Sequence, residues 1–361
     1  VSHTREAEQK FFGSFFQKRT SSTRLPKRKA FNSVTLSSVG VMSIRNIIKA
    51  SAGFLFLAAC NASPDATSNT TATGPVCNLA LAADFPVTYV DGEPTIIVTI
   101  DGHKLRMVLD SGSEESFLAP AAYDLLNIHQ SFHGEHYVVE GLGGTADIDT
   151  FILKDIYFGS VHLHDEVLGV FPHDVNVPQG HQAEDGVIGF DILEPFDVAF
   201  DLPHNRVTFY QPKNCTVSAT PWQGDFAAVP YTRTSGFTPL IPVSINNQTF
   251  QMFLDSDSSS LVFQHSLDAN GIKPEASQPA NVPGTAIAGQ SINLKNVQFQ
   301  SIGIGAETFQ DAWLLDDTTP QSLVTSTSDG TVGLDYLKTH RVFVVNSTHT
   351  VYLGLTIQPG S

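Results

Sequence analysis

The chain has 361 residues, 41% of them hydrophobic and 16% charged, enough for two lobes with their own cores and unlike the composition of a disordered protein. Its net charge is −16, divided as +8 over residues 1–50 and −24 over residues 51–361. A body this acidic repels phosphate backbones, which argues against nucleic-acid binding. The three cysteines, Cys60, Cys77 and Cys215, form no CxxC or Cys/His spacing, so a structural zinc site has no support. No other metal and no cofactor is expected.

Residues 1–41 are basic and lack periodicity. They read as an unstructured extension upstream of a plausible start at Met42. Residues 42–60 carry a short basic region, Arg45 and Lys49, then an apolar run from Ala50 to Ala59 ending at Cys60. That run is short for a permanent bilayer span and suits a signal peptide; an ordinary cleaved signal or a buried core segment are the alternatives. Leu57-Ala58-Ala59-Cys60 resembles the bacterial lipobox, which implies cleavage before Cys60 and lipid attachment to it. The resemblance implies a membrane partnership through an N-terminal lipid anchor in the cell envelope, on the periplasmic face of the outer membrane. Residues 61–76, rich in Ser, Thr, Ala and Pro, read as a flexible tether. Export implies an oxidising compartment, where Cys77 and Cys215 are expected to pair; two free thiols are the alternative.

The body repeats itself. Ile96–Ser113 aligns without a gap on Ile241–Ser258, offset by 145 residues, with Asp110 on Asp255 and the polar turns Asp101-Gly102 and Asn246-Asn247 in register. Each copy reads as a hairpin whose second strand ends at the aspartate. A second pair, Gly186–Leu193 and Gly330–Leu337, follows at offset 144, and each is succeeded by a further hairpin, 198–209 and 342–353. Short helices are expected at Pro120–Leu126, Phe190–Leu193 and Leu334–Leu337. The rest is rich in Val, Ile, Phe and Thr with Gly/Pro/Asn punctuation, an all-β pattern. The repeat divides the body into lobes at 77–215 and 216–361.

Val108-Leu109-Asp110-Ser111-Gly112-Ser113, followed by Val187-Ile188-Gly189, resembles the active-site strand and apolar-apolar-Gly motif of retropepsin- and pepsin-like aspartic proteases. The resemblance spans about residues 85–355. It implies an all-β chain of two pseudo-symmetric acid-protease-type β-barrel lobes with few short helices, acting as a monomer on peptide or protein substrates. It also implies an endopeptidase with Asp110 and Asp255 as the catalytic dyad. Ser111 and Ser256 would brace the two loops, and Ser113 and Ser258 would hydrogen-bond the carboxylates. Two close carboxylates share one proton: the ionised member activates water and the protonated member supplies the acid.

Gly141-Leu142-Gly143-Gly144 is a candidate flap over substrate, or equally a Gly-rich turn. His162 and His164 put two imidazoles on one strand face, a pattern ordinary in surface strands, and no metal site is read from it. The pattern breaks at Asp257, the counterpart of Gly112, where the family has Gly. A second charge at roughly 6 Å and an effective dielectric near 20 costs about 2.8 kcal/mol, so Asp257 must hold a proton or turn outward. Three readings stay open: an active lipid-anchored endopeptidase, a catalytically impaired homologue that binds peptides, and an envelope scaffold lipoprotein.

Overall fold

Both copies of the aspartate-bearing hairpin fold as their spacing predicts. In the computed structural model, Glu93–Ile100 pairs antiparallel with His103–Leu109, and Pro239–Ile245 with Gln248–Leu254. The structure describes residues 11–12, 17–19, 79–128, 137–141, 144–171, 184–211, 220–233, 238–280, 284–285, 291–319 and 328–357. At the hairpin tips φ is 45° and 82° at Asp101 and Gly102, and 48° and 66° at Asn246 and Asn247. Two successive positive φ values make the turn whose twist suits right-handed strands, and Asp, Asn and Gly enter that region at least cost. Strand alternation buries Ile96, Val98, Ile100, Leu105, Met107 and Leu109 in one copy. It buries Ile241, Val243, Ile245, Phe250, Met252 and Leu254 in the other.

Each hairpin belongs to a larger sheet with the same internal order. In the first half the strands run 144–158, 161–170, 117–118, 186–188, 103–109, 93–100, and Thr99–Ile100 pairs back onto Ile156–Tyr157. In the second half they run 294–304, 307–317, 261–263, 330–332, 248–254, 239–245, and Val243–Ile245 pairs back onto Ile302–Ile304. A third sheet of six strands joins the halves in the order 226–230, 350–354, 342–345, 197–201, 206–211, 80–86. At its centre Val198–Phe200 lies antiparallel to Val342–Val344. One buried apolar cluster runs through both halves, from Ala82 to Leu353. Within it the Phe85, Phe158 and Phe209 rings pack at centroid distances of 5.6 to 6.1 Å, and their burial adds to its stabilisation.

The architecture is mostly β. Among the described residues there are four short α-helices, Pro120–Leu125, Phe190–Leu193, Gln264–Ala269 and Leu334–Leu337. Gln264–Ala269 was not foreseen. It stands at the repeat position of Pro120–Leu125 but lacks the Pro that marks a first helical turn, and six residues are too few to display a helical period. In the upstream extension, expected to be unstructured, Phe11–Phe12 pairs with Gly284–Thr285 and Gln17–Arg19 with Val138–Glu140. Residues 42–76, with Cys60, lie outside the described residues, as do Cys77 and Cys215. Among the described residues no helix is long and apolar enough to cross a membrane.

Candidate active site

Each aspartate sits where a parallel strand pair ends. Gly186–Ile188 runs parallel to Met107–Leu109, and Gly330–Val332 parallel to Met252–Leu254. The next N–H in line, that of Asp110, donates to Ile188 O at 3.0 Å, and that of Asp255 to Val332 O at 3.0 Å. The chain then turns back on its own carboxylate. Gly112 and Ser113 N–H groups both donate to Asp110 Oδ1 at 2.9 Å. Asp257 and Ser258 N–H groups donate to Asp255 Oδ1 at 3.3 and 3.2 Å. Converging main-chain N–H groups fix the direction of each carboxylate, and the cradle is looser in the loop that carries Asp257.

Ser113 and Ser258 hydrogen-bond the carboxylates, as the resemblance implies, and they do so through their main-chain N–H groups. Ser113 Oγ instead donates to Glu115 O at 2.7 Å, and Ser258 Oγ is buried with no hydrogen-bond partner. The turn directs N–H groups inward, and this rotates the side chains away from the carboxylates.

Ser111 and Ser256 lie between the two loops. Ser111 N–H donates to Ser256 Oγ at 2.9 Å, Ser256 Oγ donates to Leu109 O at 2.6 Å, and Ser111 Oγ donates to Leu254 O at 2.8 Å. All three bonds are buried. Each loop thus satisfies main-chain groups of the other half, which ties the spacing of the aspartates to the docking of the halves.

Beneath each loop passes the second motif. A Cβ on Gly189 would stand 2.3 Å from Glu115 O, and one on Gly333 2.3 Å from Ser258 O, so only glycine admits this crossing. Phe190 N–H donates to Ser113 O at 2.7 Å and Leu334 N–H to Ser258 O at 2.6 Å. The sequence reading missed a further brace. Ser116 Oγ accepts from Gly189 N–H at 2.9 Å and donates to Asp191 Oδ1 at 2.6 Å. Ser260 Oγ accepts from Gly333 N–H at 2.9 Å, while Ser260 N–H donates to Asp335 Oδ1 at 2.6 Å. The signal was present, since Asp191 and Asp335 each stand two residues after the motif glycine and Ser116 and Ser260 share their offset.

Asp110, Asp255 and Asp257 are all buried, and one carboxylate oxygen from each lies within 4.8 Å of the others. A Cβ on Gly112 would stand 2.5 Å from Asp255 Cγ, so the first loop packs directly on the second aspartate. Asp257 points into this group and not outward. Burial first, then the charges of Asp110 and Asp255, a hydrogen bond with Asp255 and the charge of Glu93, hold its carboxyl well above the ordinary 3.8. This direction favours the protonated form of Asp257 beside Asp110 and Asp255. Three oxygens could attract a hard cation, but a protonated Asp257 is a poor ligand for one. Glu93, buried beside Pro94, was also missed, because Thr238 stands at its repeat position.

Gly141 pairs with Gly144 at the tip of the 137–158 hairpin. Leu142 and Gly143, between them, lie outside the described residues, as does the corresponding stretch 286–289.

Residues 96–192 match the family described as Aspartyl protease, a span holding the first Asp loop and its supporting Gly motif. No curated protein is significantly similar in sequence. Among solved structures, the aspartic proteinase from Irpex lacteus is similar over 76% of this chain and 97% of that chain, at 13% identity and a TM-score of 0.47. The family match thus covers 97 of the chain's 361 residues, all of them in the half that carries Asp110.

Proposed function

We propose that this protein is an aspartic endopeptidase in which Asp110 and Asp255 activate water for attack on a peptide carbonyl. The observation that carries the reading is the approach of the two buried carboxylates, each held by two N–H groups of its own loop and tied together through Ser111 and Ser256. The ionised member of the pair accepts a proton from the attacking water while the protonated member donates its own to the developing oxyanion, and the proton taken from water then passes to the leaving nitrogen as the C–N bond breaks. No covalent intermediate is required. In this proposal the two strand sets that pair back on themselves are pseudo-symmetric barrel lobes, the chain acts as a monomer, and Cys77 pairs with Cys215. Lipid on Cys60 anchors it in a bacterial envelope, on the periplasmic face of the outer membrane.

The test is cleavage of a peptide library between pH 3 and 7 by wild type, Asp110→Asn and Asp255→Asn. Turnover by wild type and its loss in both variants supports the reading; no turnover by wild type or by Asp257→Gly overturns it.

The buried third carboxyl favours a second reading, a homologue that binds extended peptides without cleaving them. Saturable peptide binding with no turnover at any pH would select it.

A further inference from the structure

We propose that Asp155, His162 and His164 form a binding site for a zinc-like divalent cation, apart from the aspartate group. The three residues lie on the hairpin of Gly144–Phe158 with Val161–Val170, where His164 stands opposite Asp155 and His162 opposite Tyr157. A strand period of two puts all of them on one face.

Their ring nitrogens converge on a single oxygen. His162 Nε2 is 2.6 Å and His164 Nδ1 3.2 Å from Asp155 Oδ1, and all three ligand atoms lie within 4.8 Å of one another. In a tetrahedral site with bonds of about 2.0–2.1 Å, ligand atoms stand roughly 3.3 Å apart, so a cation fits after small side-chain movements. The imidazole centroids are only 3.5 Å apart, and His162 also stacks on Tyr157 at 4.2 Å and 10°. Two imidazoles and one carboxylate suit Zn(II) and its neighbours and not the all-oxygen preference of Mg(II) or Ca(II). All three side chains keep solvent access, with His164 61% exposed, which leaves a fourth position for water. The backbone behind the site is held, since Asp101 N–H donates to Asp155 O at 3.1 Å. A cation here would clip the two strands together near the Gly159-Ser160 turn.

The experiment uses the full chain, stripped with chelator and titrated with Zn(II) by calorimetry, then with Co(II) by its visible ligand-field absorption. Wild type and Asp255→Asn should bind one Zn(II) at the same affinity. His162→Ala and His164→Ala should weaken binding by at least the roughly 10–100-fold that loss of even an outer partner costs. His162→Gln and His164→Gln, with circular dichroism matching wild type, guard against loss of fold. Added Zn(II) should raise the unfolding temperature of wild type but not of the hairpin variants. Equal affinity in wild type and the hairpin variants, no binding by wild type, or loss in Asp255→Asn alone would each overturn the proposal. None of these results bears on peptide cleavage by the dyad.

Discussion

Gly112 packs so closely on Asp255 that a Cβ at residue 112 would stand 2.5 Å from the Asp255 carboxyl carbon. Gly112→Ala must therefore push the second aspartate away from the first. Misplacement of a reacting group by about 1 Å costs on the order of 100-fold in rate. The expected result is a loss of that size in kcat against a peptide substrate, with the overall fold retained by circular dichroism.

Asp257 gives the site a pH limit. Its folded-state proton affinity is raised above the ordinary 3.8, so its contribution to stability is complete below that value and is lost as pH rises through the raised one. Above it a further negative charge enters the aspartate group, which would disturb the proposed sharing of one proton by Asp110 and Asp255. Asp257→Asn and Asp257→Gly should both shift the alkaline limb of the kcat/KM profile upward, and Asp257→Asn should raise the unfolding temperature at pH 7 more than at pH 4. Unchanged alkaline limbs in both variants would show that Asp257 does not set the profile.

The brace between the loops predicts an order of severity. Ser256→Ala deletes a donor to Leu109 O and an acceptor for Ser111 N–H, while Ser111→Ala deletes only a donor to Leu254 O. Each buried group left unpaired costs about 1–3 kcal/mol. Urea titration should find Ser256→Ala the more destabilised by one such increment.

A second acidic site acts on stability without touching the dyad. Burial pushes Asp316 up to about 6, with Asp317 and Asp268 adding to the shift and Lys295 opposing it. Asp316 Oδ1 is buried with no hydrogen-bond partner. The stability that protonated Asp316 supplies is complete below about pH 4 and lost as pH rises past 6. Asp316→Asn should therefore stabilise the protein at pH 7 by on the order of 2 kcal/mol and have little effect at pH 4, as read from thermal unfolding at both values.

The sequence carried the paired loops because their determinants are local and duplicated. Asp101-Gly102 and Asn246-Asn247 announce the hairpins, and Gly189 and Gly333 mark close backbone crossings. It could not carry the direction of a side chain. Whether Asp257 points inward, and whether Ser113 bonds by its hydroxyl or its N–H, depends on a turn whose geometry is set by contacts from 75 or more residues away, as in Ser116 with Asp191. Glu93 was illegible for another reason: its neighbourhood with Asp257 crosses the two halves and has no counterpart in the repeat. The convergence of Asp155 on His162 and His164 needed the strand register, which a pattern of two histidines alone does not supply.

The pairing of Val198–Phe200 with Val342–Val344 has a consequence for how the protein becomes competent. Neither half owns a finished reaction centre, because each loop leaves a carbonyl or N–H group that only the other half can satisfy. The two loops complete each other's main-chain hydrogen bonding only when the halves are docked, so a chain with one half unfolded is expected to lack the proposed cleavage. Under the proposed function, the contacts that align the two acids would also keep a half-folded copy from cleaving its neighbours.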